Sequence, residues 1–420
     1  MDGLDHMNIL ICTYTFPPME GIGGRRWAKF YKGLKALGHQ VFVIHQKPPD
    51  DARSPWLKDV GLDSSNFVSF DFGYPELMNL AKYGFIDKVK YRLVLRSLKI
   101  KYAGNYYDRS CLFRLKDHPW ISDLIQNEKI DWLIASGGPF SWMSELADLK
   151  MEHPALKLLA DFRDPWVNNK SSFGYADLPK ERIEHERKLE RKVIESYNLV
   201  SSVHRDMNDY FIQTYEQPSN KLFELTNAWD RDELVNSTFE NENEEKSVVF
   251  SGTLYDETES SFLNFLNGIR SEEVYLKLKN ERIFFDFYGS VPSWFHKHVM
   301  PDDLVRFHGR VNLEEINEKL ASATGSMLFL TSDMTFSLST KFFEYIKYGL
   351  PILVFSNQGK TSRFVEEQSI GLGISEGVDP AKWNELIQMV TKGRMKPPEW
   401  IEEYELKQRT KSLLKALSLN

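Results

Sequence analysis

The sequence contains little cysteine, with only Cys12 and Cys111 among its 420 residues. Two thiols are too few for a disulfide framework, and Cys12 lies in an apolar run that is typical of a buried strand. The ten histidines show no H-E-x-x-H motif or comparable spacing, which disfavours a zinc site. We therefore expect a reduced, cytoplasmic protein that requires neither a metal ion nor another cofactor.

Long hydrophobic runs are also absent from the sequence. No segment approaches the roughly 18 consecutive apolar residues that cross a bilayer. The first six residues lack the basic and apolar parts of a signal peptide. The sequence thus predicts a protein without a transmembrane helix, for which peripheral contact with the inner face of a membrane is the remaining alternative.

Several common catalytic motifs are missing. The chain has no G-x-S-x-G elbow and no G-x-x-x-x-G-K-[ST] loop, which disfavours hydrolases and P-loop enzymes. The glycines at 21, 23 and 24 lack the G-x-G-x-x-G spacing, and no acidic residue follows about 20 positions later, so a nicotinamide cofactor is disfavoured. The formal net charge of −7 argues against non-specific binding of nucleic acid.

What is present is a repeated alternation of strands and helices. The chain begins with a βαβ unit. This unit consists of an apolar run at 8–16, a glycine-rich loop, a helical pattern from Trp27 to Leu37 and an apolar run at 41–45. Further strands are predicted at 131–135, 156–160 and 199–203, with a charged helix at 178–196 and a less regular region at 50–125. Such units build parallel sheets, which bind ligands at the carboxyl ends of their strands.

A second alternation follows an acidic stretch at 240–245, which resembles an exposed boundary. Strands are predicted at 248–251, 283–288, 305–308, 326–330 and 351–355, and helices at 313–321, 339–348 and 400–417. Because 420 residues exceed one ordinary core, we predict two domains. Their bounds are 7–240 for an acceptor domain and 246–395 for a donor domain, with a C-terminal helix at 396–420 that crosses back to the first.

Positive charge is concentrated in the first half of the chain. Residues 21–49 contain six cations and no acid, and residues 82–117 contain ten cations and three acids. The stretch from Lys82 to Lys116 also carries aromatic and aliphatic residues at helical spacing. A solvated helical face explains this pattern, and so does contact with an anionic membrane or a lipid-diphosphate acceptor.

The first candidate site is the glycine loop that ends in Arg25 and Arg26. Glycines between a strand and a helix let the backbone approach a phosphate, and the helix N-terminus supplies free N–H donors. The two arginines add cationic donors. A flexible turn that enters a helix is the alternative interpretation.

The second candidate is Ser339-Thr340-Lys341-Phe342-Phe343-Glu344, at the start of a predicted helix. Lys341 and Glu344 are three residues apart and share a helical face. The lysine is suited to a diphosphate, and the carboxylate to ribose hydroxyls. The alternative is a surface Lys–Glu pair, although a capping box would need Ser or Thr at the position of Lys341.

The third candidate is Asp161-Phe162-Arg163-Asp164-Pro165-Trp166, directly after a predicted strand. Three charged residues at the end of a buried strand indicate a substrate contact or an internal Asp–Arg pair that stiffens the loop. Trp166 is suited to stack on a sugar ring or to fill the loop. Ser136 and Gly137 follow a neighbouring strand and would line the same crevice.

These motifs together resemble those of family 4 retaining glycosyltransferases of the GT-B fold, in the branch with an Asp-Phe-Arg-Asp-Pro-Trp loop. The segments that carry the resemblance are 14–27 (YTFPPMEGIGGRRW), 161–166, 226–230 (TNAWD), 249–254 (VFSGTL) and 340–353 (TKFFEYIKYGLPIL). They span nearly the whole chain in the expected order. The resemblance implies an α/β protein with two Rossmann-like parallel-sheet domains that face each other across a cleft.

The resemblance also implies a function for each domain. The second would bind a UDP- or GDP-linked sugar, with Glu344 on the ribose and Lys341 near the diphosphate. The donor-binding residues would be Gly23, Gly24, Gly252, Thr253, Arg310, Ser339, Thr340, Lys341 and Glu344. The acceptor-binding residues would be Arg25, Arg26, Ser136, Gly137 and Trp166, and the catalytic ones Asp161, Arg163 and Asp164.

The sequence departs from the family pattern in three places. Phe336 stands where many members have Glu, eight positions before the ribose-binding residue, and Asp333 lies three residues away. The loop after Gly252 lacks the usual Arg and Lys, for which Arg310 would compensate. Arg163 and Asp164 occupy the strand end where relatives carry a catalytic histidine.

The leading interpretation is a metal-independent, retaining, hexosyltransferase-like enzyme. It would transfer a sugar to a saccharide or lipid-linked acceptor in surface polysaccharide or lipopolysaccharide biosynthesis. Two alternatives remain open from the sequence. One is a catalytically silent GT-B subunit that binds a nucleotide sugar or a partner transferase, and the other is a sugar-nucleotide epimerase.

Overall fold

The structure is a computed structural model of the chain. It describes residues 6–61, 66–79, 84–169, 174–175, 178–217, 219–235, 245–330, 338–356, 359–375 and 379–420. The chain divides into two units, each with its own parallel sheet. Unit 1 comprises Met1–Thr226 and Arg409–Asn420, and unit 2 comprises Asn227–Gln408.

The sheet of unit 1 has seven strands. They are β1 (Asn8–Cys12), β2 (Gln40–Gln46), β3 (Phe67–Phe70), β4 (Trp132–Ser136), β5 (Lys157–Phe162), β6 (Leu199–Ser202) and β7 (Leu222–Glu224). All neighbours pair in parallel, in the order β3-β2-β1-β4-β5-β6-β7. The order reverses between β1 and β4, and ligands of doubly wound sheets bind at the carboxyl ends of the strands at such a point.

Eight helices accompany this sheet among the described residues. They are α1 (Ile22–Ala36), α2 (Leu57–Val60), α3 (Phe85–Lys101), α4 (Trp120–Asn127), α5 (Ser141–Leu146), α6 (Leu149–Glu152), α7 (Lys180–Ser196) and α8 (Arg205–Tyr215). With helices on both faces, a parallel strand is buried on both sides. In β1, Ile9, Leu10, Ile11 and Cys12 are accordingly fully buried.

The sheet of unit 2 has six strands. They are β8 (Lys246–Thr253), β9 (Ile283–Ser290), β10 (Val305–Gly309), β11 (Gly325–Phe329), β12 (Ile352–Phe355) and β13 (Gly371–Ile374). The order is β10-β9-β8-β11-β12-β13, again parallel throughout. Here the reversal falls between β8 and β11, so the ends of these two strands are where a ligand is expected.

The helices of unit 2 are α9 (Glu259–Arg270), α10 (Glu272–Asn280), α11 (Phe295–His298), α12 (Leu313–Ser322), α13 (Thr340–Ile346), α14 (Lys360–Glu367) and α15 (Pro380–Lys392). The last helix of the chain is α16 (Leu406–Ser418), most of which belongs to unit 1. Thr410 of α16 packs closely on α1, because a Cβ added to Gly33 would lie 2.2 Å from the Thr410 hydroxyl oxygen. Leu413, Leu414 and Leu417 are buried.

The two compact units meet at a different position from the predicted domain bounds. The chain passes from unit 1 to unit 2 between Thr226 and Asn227, before the acidic stretch near 240. The indole of Trp229 donates to the carbonyl of Ile401, and its backbone N–H donates to the carbonyl of Tyr404. These bonds hold the segment after Asn227 in unit 2. Residues 240–244 themselves lie outside the described residues.

The structure confirms most of the predicted elements and adds several. The strands β3, β7 and β13 were not predicted, and the region 50–125 contains β3 with helices α2, α3 and α4. Strand β3 lies at the sheet edge, where Phe67 and Val68 are only partly buried. A short, half-exposed edge strand has a weak apolar signal. The predicted helix at 400–417 is a 3-10 turn, Glu399–Tyr404, followed by α16.

Glu190 on α7 produces a testable dependence of stability on pH. It is fully buried and accepts hydrogen bonds from the hydroxyls of Tyr210 and Tyr215 and from the backbone N–H of Val167. Burial raises the pKa of Glu190 from 4.5 to about 7, against the lowering effect of these hydrogen bonds. Between these values the folded state binds more protons than the unfolded state, so stability is lost as pH rises through that window.

We expect Glu190→Gln to flatten this dependence. We compare the free energy of unfolding of the natural protein with that of the variant at each pH. This difference should fall by roughly 3 kcal/mol between pH 4.5 and 8. Urea denaturation at four pH values measures the difference, and Glu195→Gln, an exposed position on the same helix, is the matched control. Parallel pH curves for the natural protein and Glu190→Gln would contradict the assignment.

Candidate functional site

The carboxyl edge of the unit 1 sheet contains a buried ion pair between Arg26 and Asp161. The Arg26 Nη2 atom lies 2.7 Å from Asp161 Oδ1, and Nε lies 3.0 Å from Oδ2. The indole of Trp27 and the hydroxyls of Ser136 and Ser201 also donate to this carboxylate. The side chain of Asp161 is 0% exposed and that of Arg26 is 3% exposed.

This network describes the surroundings of Asp161 and Arg26, whose predicted catalytic and acceptor-binding roles stay predictions. Both carboxylate oxygens are engaged inside the protein, and Arg26 donates in addition to the carbonyls of Leu225 and Thr226. A buried charge with so many partners holds structure together, because losing any partner leaves charge unpaired. The pair therefore joins α1 to β5.

The other residues predicted to bind the acceptor are buried as well. Trp166 is 0% exposed, stacks on the ring of Phe140 and donates from its indole to Glu186. Arg25, Ser136 and Gly137 are also buried. The predicted contact of these residues with an acceptor stays a prediction.

Arg163 connects the loops that follow β1 and β4. Its guanidinium donates to the carbonyls of Gly23, Gly137 and Gly138 at 2.7, 3.1 and 2.8 Å respectively. A Cβ on Gly23 would lie 2.9 Å from Arg163 Nη1, so a larger residue there would displace the guanidinium. Arg163 thereby fixes the two loops at the point where the strand order reverses.

The glycine loop of unit 1 leads directly into α1. Gly21 precedes the helix with φ of +113°, a conformation that favours glycine. The first turn of α1 has no acidic residue and no side-chain cap. An anionic group near Gly23 and Gly24 is therefore favoured by the helix dipole.

Asp164 differs from Asp161, three residues before it in the same loop. It is partly exposed, and within the described part of the chain it makes no hydrogen bond. Burial raises the pKa of the Asp164 carboxyl, while the neighbouring Arg163 charge lowers it. Of the three predicted catalytic residues, Asp164 alone presents a carboxyl suited to a substrate hydroxyl.

The structure adds Tyr14 and Arg109 to this edge, which the sequence did not single out. Tyr14 follows β1, and the exposed Arg109 guanidinium lies 6.0 Å from the centre of its ring. Burial raises the pKa of Tyr14, and the charge of Arg109 lowers it. No local pattern signals this contact, because the two residues lie 95 positions apart in the sequence.

In unit 2 the end of β8 is packed against Lys341. Gly252 has φ of +107°, and a Cβ there would lie 2.7 Å from Lys341 Cε. The Lys341 ammonium donates to the carbonyl of Thr253 at 3.1 Å and lies 4.3 Å from the centre of the Phe250 ring. Burial lowers the pKa of Lys341 to about 8, while Glu344 raises it. A bound anion would stabilise the charged form of this lysine.

A second cation approaches the same strand ends from the opposite side of β8. Gly252 and Thr253 pair in register with Gly289 and Ser290 of β9. The Arg310 guanidinium donates from Nε to the Ser290 hydroxyl at 2.8 Å. Lys341 and Arg310 are thus each bonded to one residue of the Thr253–Ser290 pair.

Helix α13 is fixed on β8 by Tyr345, whose hydroxyl accepts from the backbone N–H of Ser251 at 2.9 Å. Phe342 and Phe343 are buried beneath the helix, while Lys341 and Glu344 are partly exposed. Ser339 and Thr340 begin the helix. Gly252, Thr253, Arg310, Lys341 and Glu344 are therefore gathered at one edge, whereas Asp333 and Phe336 lie outside the described residues.

The described residues contain no cluster of three His, Cys, Asp or Glu side chains placed to hold a metal ion. None of their helices combines the length and the apolar character needed to cross a membrane.

No protein-family model and no curated protein matches the chain. Several solved structures do resemble the chain. A glycosyltransferase from Rickettsia africae is 12% identical with a TM-score of 0.58, covering 99% of this chain and 98% of that one. The lipopolysaccharide outer core galactosyltransferase WaaB, in its apo form, is 11% identical with a TM-score of 0.57, covering 98% and 99%.

A third structure, a Listeria monocytogenes protein described as a UDP-N-acetylglucosamine 2-epimerase, is 10% identical with a TM-score of 0.57, covering 98% and 96%. These likenesses extend over both units. They confirm the predicted fold class, so the chain has a GT-B fold built from two parallel-sheet α/β domains. Because the same fold serves transferases and an epimerase, the reaction has to be argued from the site.

Proposed function

We propose that the protein is a retaining glycosyltransferase. It would move a hexose-like sugar from a UDP- or GDP-linked donor to a saccharide or lipid-linked acceptor. The observation that carries this proposal is the pair of cations, Lys341 and Arg310, bonded to neighbouring residues at the carboxyl ends of β8 and β9. Two cations beside a glycine at a strand end suit a diphosphate. The family 4 resemblance supports the same assignment.

The donor would bind to unit 2 with its diphosphate on Lys341, Arg310 and the Gly252–Thr253 backbone. Glu344 would accept hydrogen bonds from the ribose hydroxyls, as it lies one turn after Lys341 on α13. Ser339 and Thr340 would contact the donor at the start of that helix. The lowered pKa of Lys341 fits this role, because an unbound ammonium is poorly solvated there and gains from an anion.

The acceptor would bind to unit 1. We assign its contact to the partly exposed Asp164 and the exposed Arg109 instead of the buried Arg25, Arg26 and Trp166. The buried Tyr14 lies against Arg109 and would position it. Arg163 would act as a positioning residue, because it holds the carbonyls of Gly23, Gly137 and Gly138. The N–H group of Gly23 would bind a phosphate, whereas that of Gly24 donates to the carbonyl of Gly21. An exposed arginine favours an anionic acceptor, as in the assembly of surface polysaccharide or lipopolysaccharide.

The proposed reaction breaks the bond between the anomeric carbon and the diphosphate oxygen. The acceptor oxygen attacks from the same face, and its proton passes to the leaving phosphate, so no protein nucleophile takes part. Lys341 and Arg310 stabilise the charge that develops on the diphosphate, which is the charge that a metal ion would otherwise neutralise. Asp164 orients the acceptor hydroxyl.

A panel of UDP- and GDP-sugars, each with and without oligosaccharide or lipid-linked acceptors, tests this proposal. We expect nucleoside diphosphate to be released together with a glycosylated acceptor that keeps the anomeric configuration of the donor. Release of an epimerised sugar without acceptor would show an epimerase, the activity given for the Listeria structure. Nucleotide binding with no turnover across the panel would instead show a silent subunit.

A further inference from the structure

Helix α3, Phe85–Lys101, is apolar on two opposite sides. One side packs against the core of its own unit, unit 1, through the buried Leu98 and the partly buried Val94 and Leu95. Five large apolar residues outside this side are exposed: Phe85 by 85%, Ile86 by 67%, Val89 by 49%, Leu93 by 65% and Ile100 by 77%. At about 100° per residue, they fall within an arc of about 100°. This exposed stripe runs the length of the helix.

Cations border the exposed stripe on both sides. With Phe85 as the origin, Lys90 and Lys101 follow one border, and Lys88, Arg92 and Lys99 follow the other. Arg96 projects within the stripe. The helix thus has six cations and one acid, a net charge of +5, in a chain whose net charge is −7.

The helix is held firmly in this orientation. The guanidinium of Arg182, on α7, donates to the carbonyls of Lys99, Tyr102 and Gly104 at the C-terminal end of α3. At the other end, the carboxylate of Asp87 accepts from the backbone N–H of Gly84. The single acid of the helix therefore serves as a cap at its N-terminal end.

We propose that this face of α3 docks on an anionic lipid bilayer. An apolar stripe between two rows of Lys and Arg matches the surface layer of an anionic bilayer. The stripe would lie among the acyl chains, and the cations would contact the anionic headgroups. A second copy of the chain is disfavoured as the occupant, because two α3 faces related by a two-fold axis would oppose six cations to six. The proposal is independent of the enzymatic function proposed above.

Flotation of the full-length protein with vesicles tests the proposal. We expect binding to vesicles of 70:30 phosphatidylcholine to phosphatidylglycerol and at least tenfold weaker binding to pure phosphatidylcholine. The double variant Ile86→Asp/Leu93→Asp should bind the anionic vesicles at least tenfold less than the natural protein. Met151→Asp, at a position 77% exposed on the same unit, is the matched control and should bind normally. Equal binding of the double variant would overturn the proposal.

A labelling experiment locates the contact without charged substitutions. Both natural cysteines are buried, so Leu93→Cys takes up an environment-sensitive dye at one exposed site. We expect blue-shifted emission on anionic vesicles, and no shift for dye on Met151→Cys. A shift that grows with protein concentration without vesicles would show self-association instead and overturn the proposal, as would no shift at all. Urea denaturation curves that match that of the natural protein show that both Leu93 variants are folded.

Discussion

Lys341→Ala is expected to weaken the binding of the donor's nucleoside diphosphate by about 10- to 150-fold, which corresponds to the roughly 1.5–3 kcal/mol of a charge-assisted hydrogen bond. The fold should persist, because burial lowers the pKa of Lys341 and so disfavours its charged form in the unliganded protein. Isothermal titration with UDP and GDP at pH 7, where most Lys341 side chains are charged, measures the loss. Urea denaturation measures stability alongside.

Two further variants sharpen this experiment. Lys319→Ala removes an exposed lysine from α12, away from the strand ends, and should leave the affinity unchanged. Glu344→Ala should also weaken nucleotide binding, since the ribose hydroxyls would lose a charged acceptor. If Lys341→Ala bound the nucleotide as tightly as the natural protein, the diphosphate would have to lie elsewhere in unit 2.

Asp161→Asn is expected to lower the free energy of unfolding by roughly 3–5 kcal/mol, because it leaves the Arg26 charge buried without its carboxylate. The loss includes weakened bonds from Trp27, Ser136 and Ser201, whose donors all point at this carboxylate. Urea denaturation followed by tryptophan fluorescence measures the effect. Specific activity of the fraction that remains folded should stay close to that of the natural protein.

Asp164→Asn is the matched control, three residues along the same loop. Burial raises the pKa of this carboxyl, so replacing it by a neutral amide should not lower stability. Turnover should fall, because the amide orients an acceptor hydroxyl less well than the carboxylate. A stable Asp161→Asn variant with lost turnover would reverse the assignments of the two aspartates.

The candidate residues of unit 2 could be predicted from sequence because their signal is local. Lys341 and Glu344 lie three residues apart on one short helix, and the glycine of β8 stands at the end of an apolar run. In unit 1 the candidate loop also has a local signal, but the contacts of its residues do not. The partner of Asp161 is Arg26, 135 positions away, and no spacing rule connects two residues so far apart.

Other differences between the sequence-based expectations and the structure concern which side chains are buried. Trp166 at a strand end resembles a sugar platform in the sequence, yet the structure places it fully inside against Phe140. In α3 the reverse holds, since Phe85 and Leu93 belong to an ordinary helical pattern and are exposed. Strand β13 contains two glycines in four residues, so its composition indicates no strand although it is buried in the sheet.

The sequence by itself determined the alternation of strands and helices, and with it two parallel sheets whose carboxyl edges carry the candidate residues. Apolar periodicity and glycine positions are local properties, so they can be read along the chain. Only the tertiary structure decided which charges pair in the interior and which remain at the surface. The physical reason is that desolvation and ion pairing depend on neighbours brought together by chain topology, as Arg163 and the glycine carbonyls of two separate loops demonstrate.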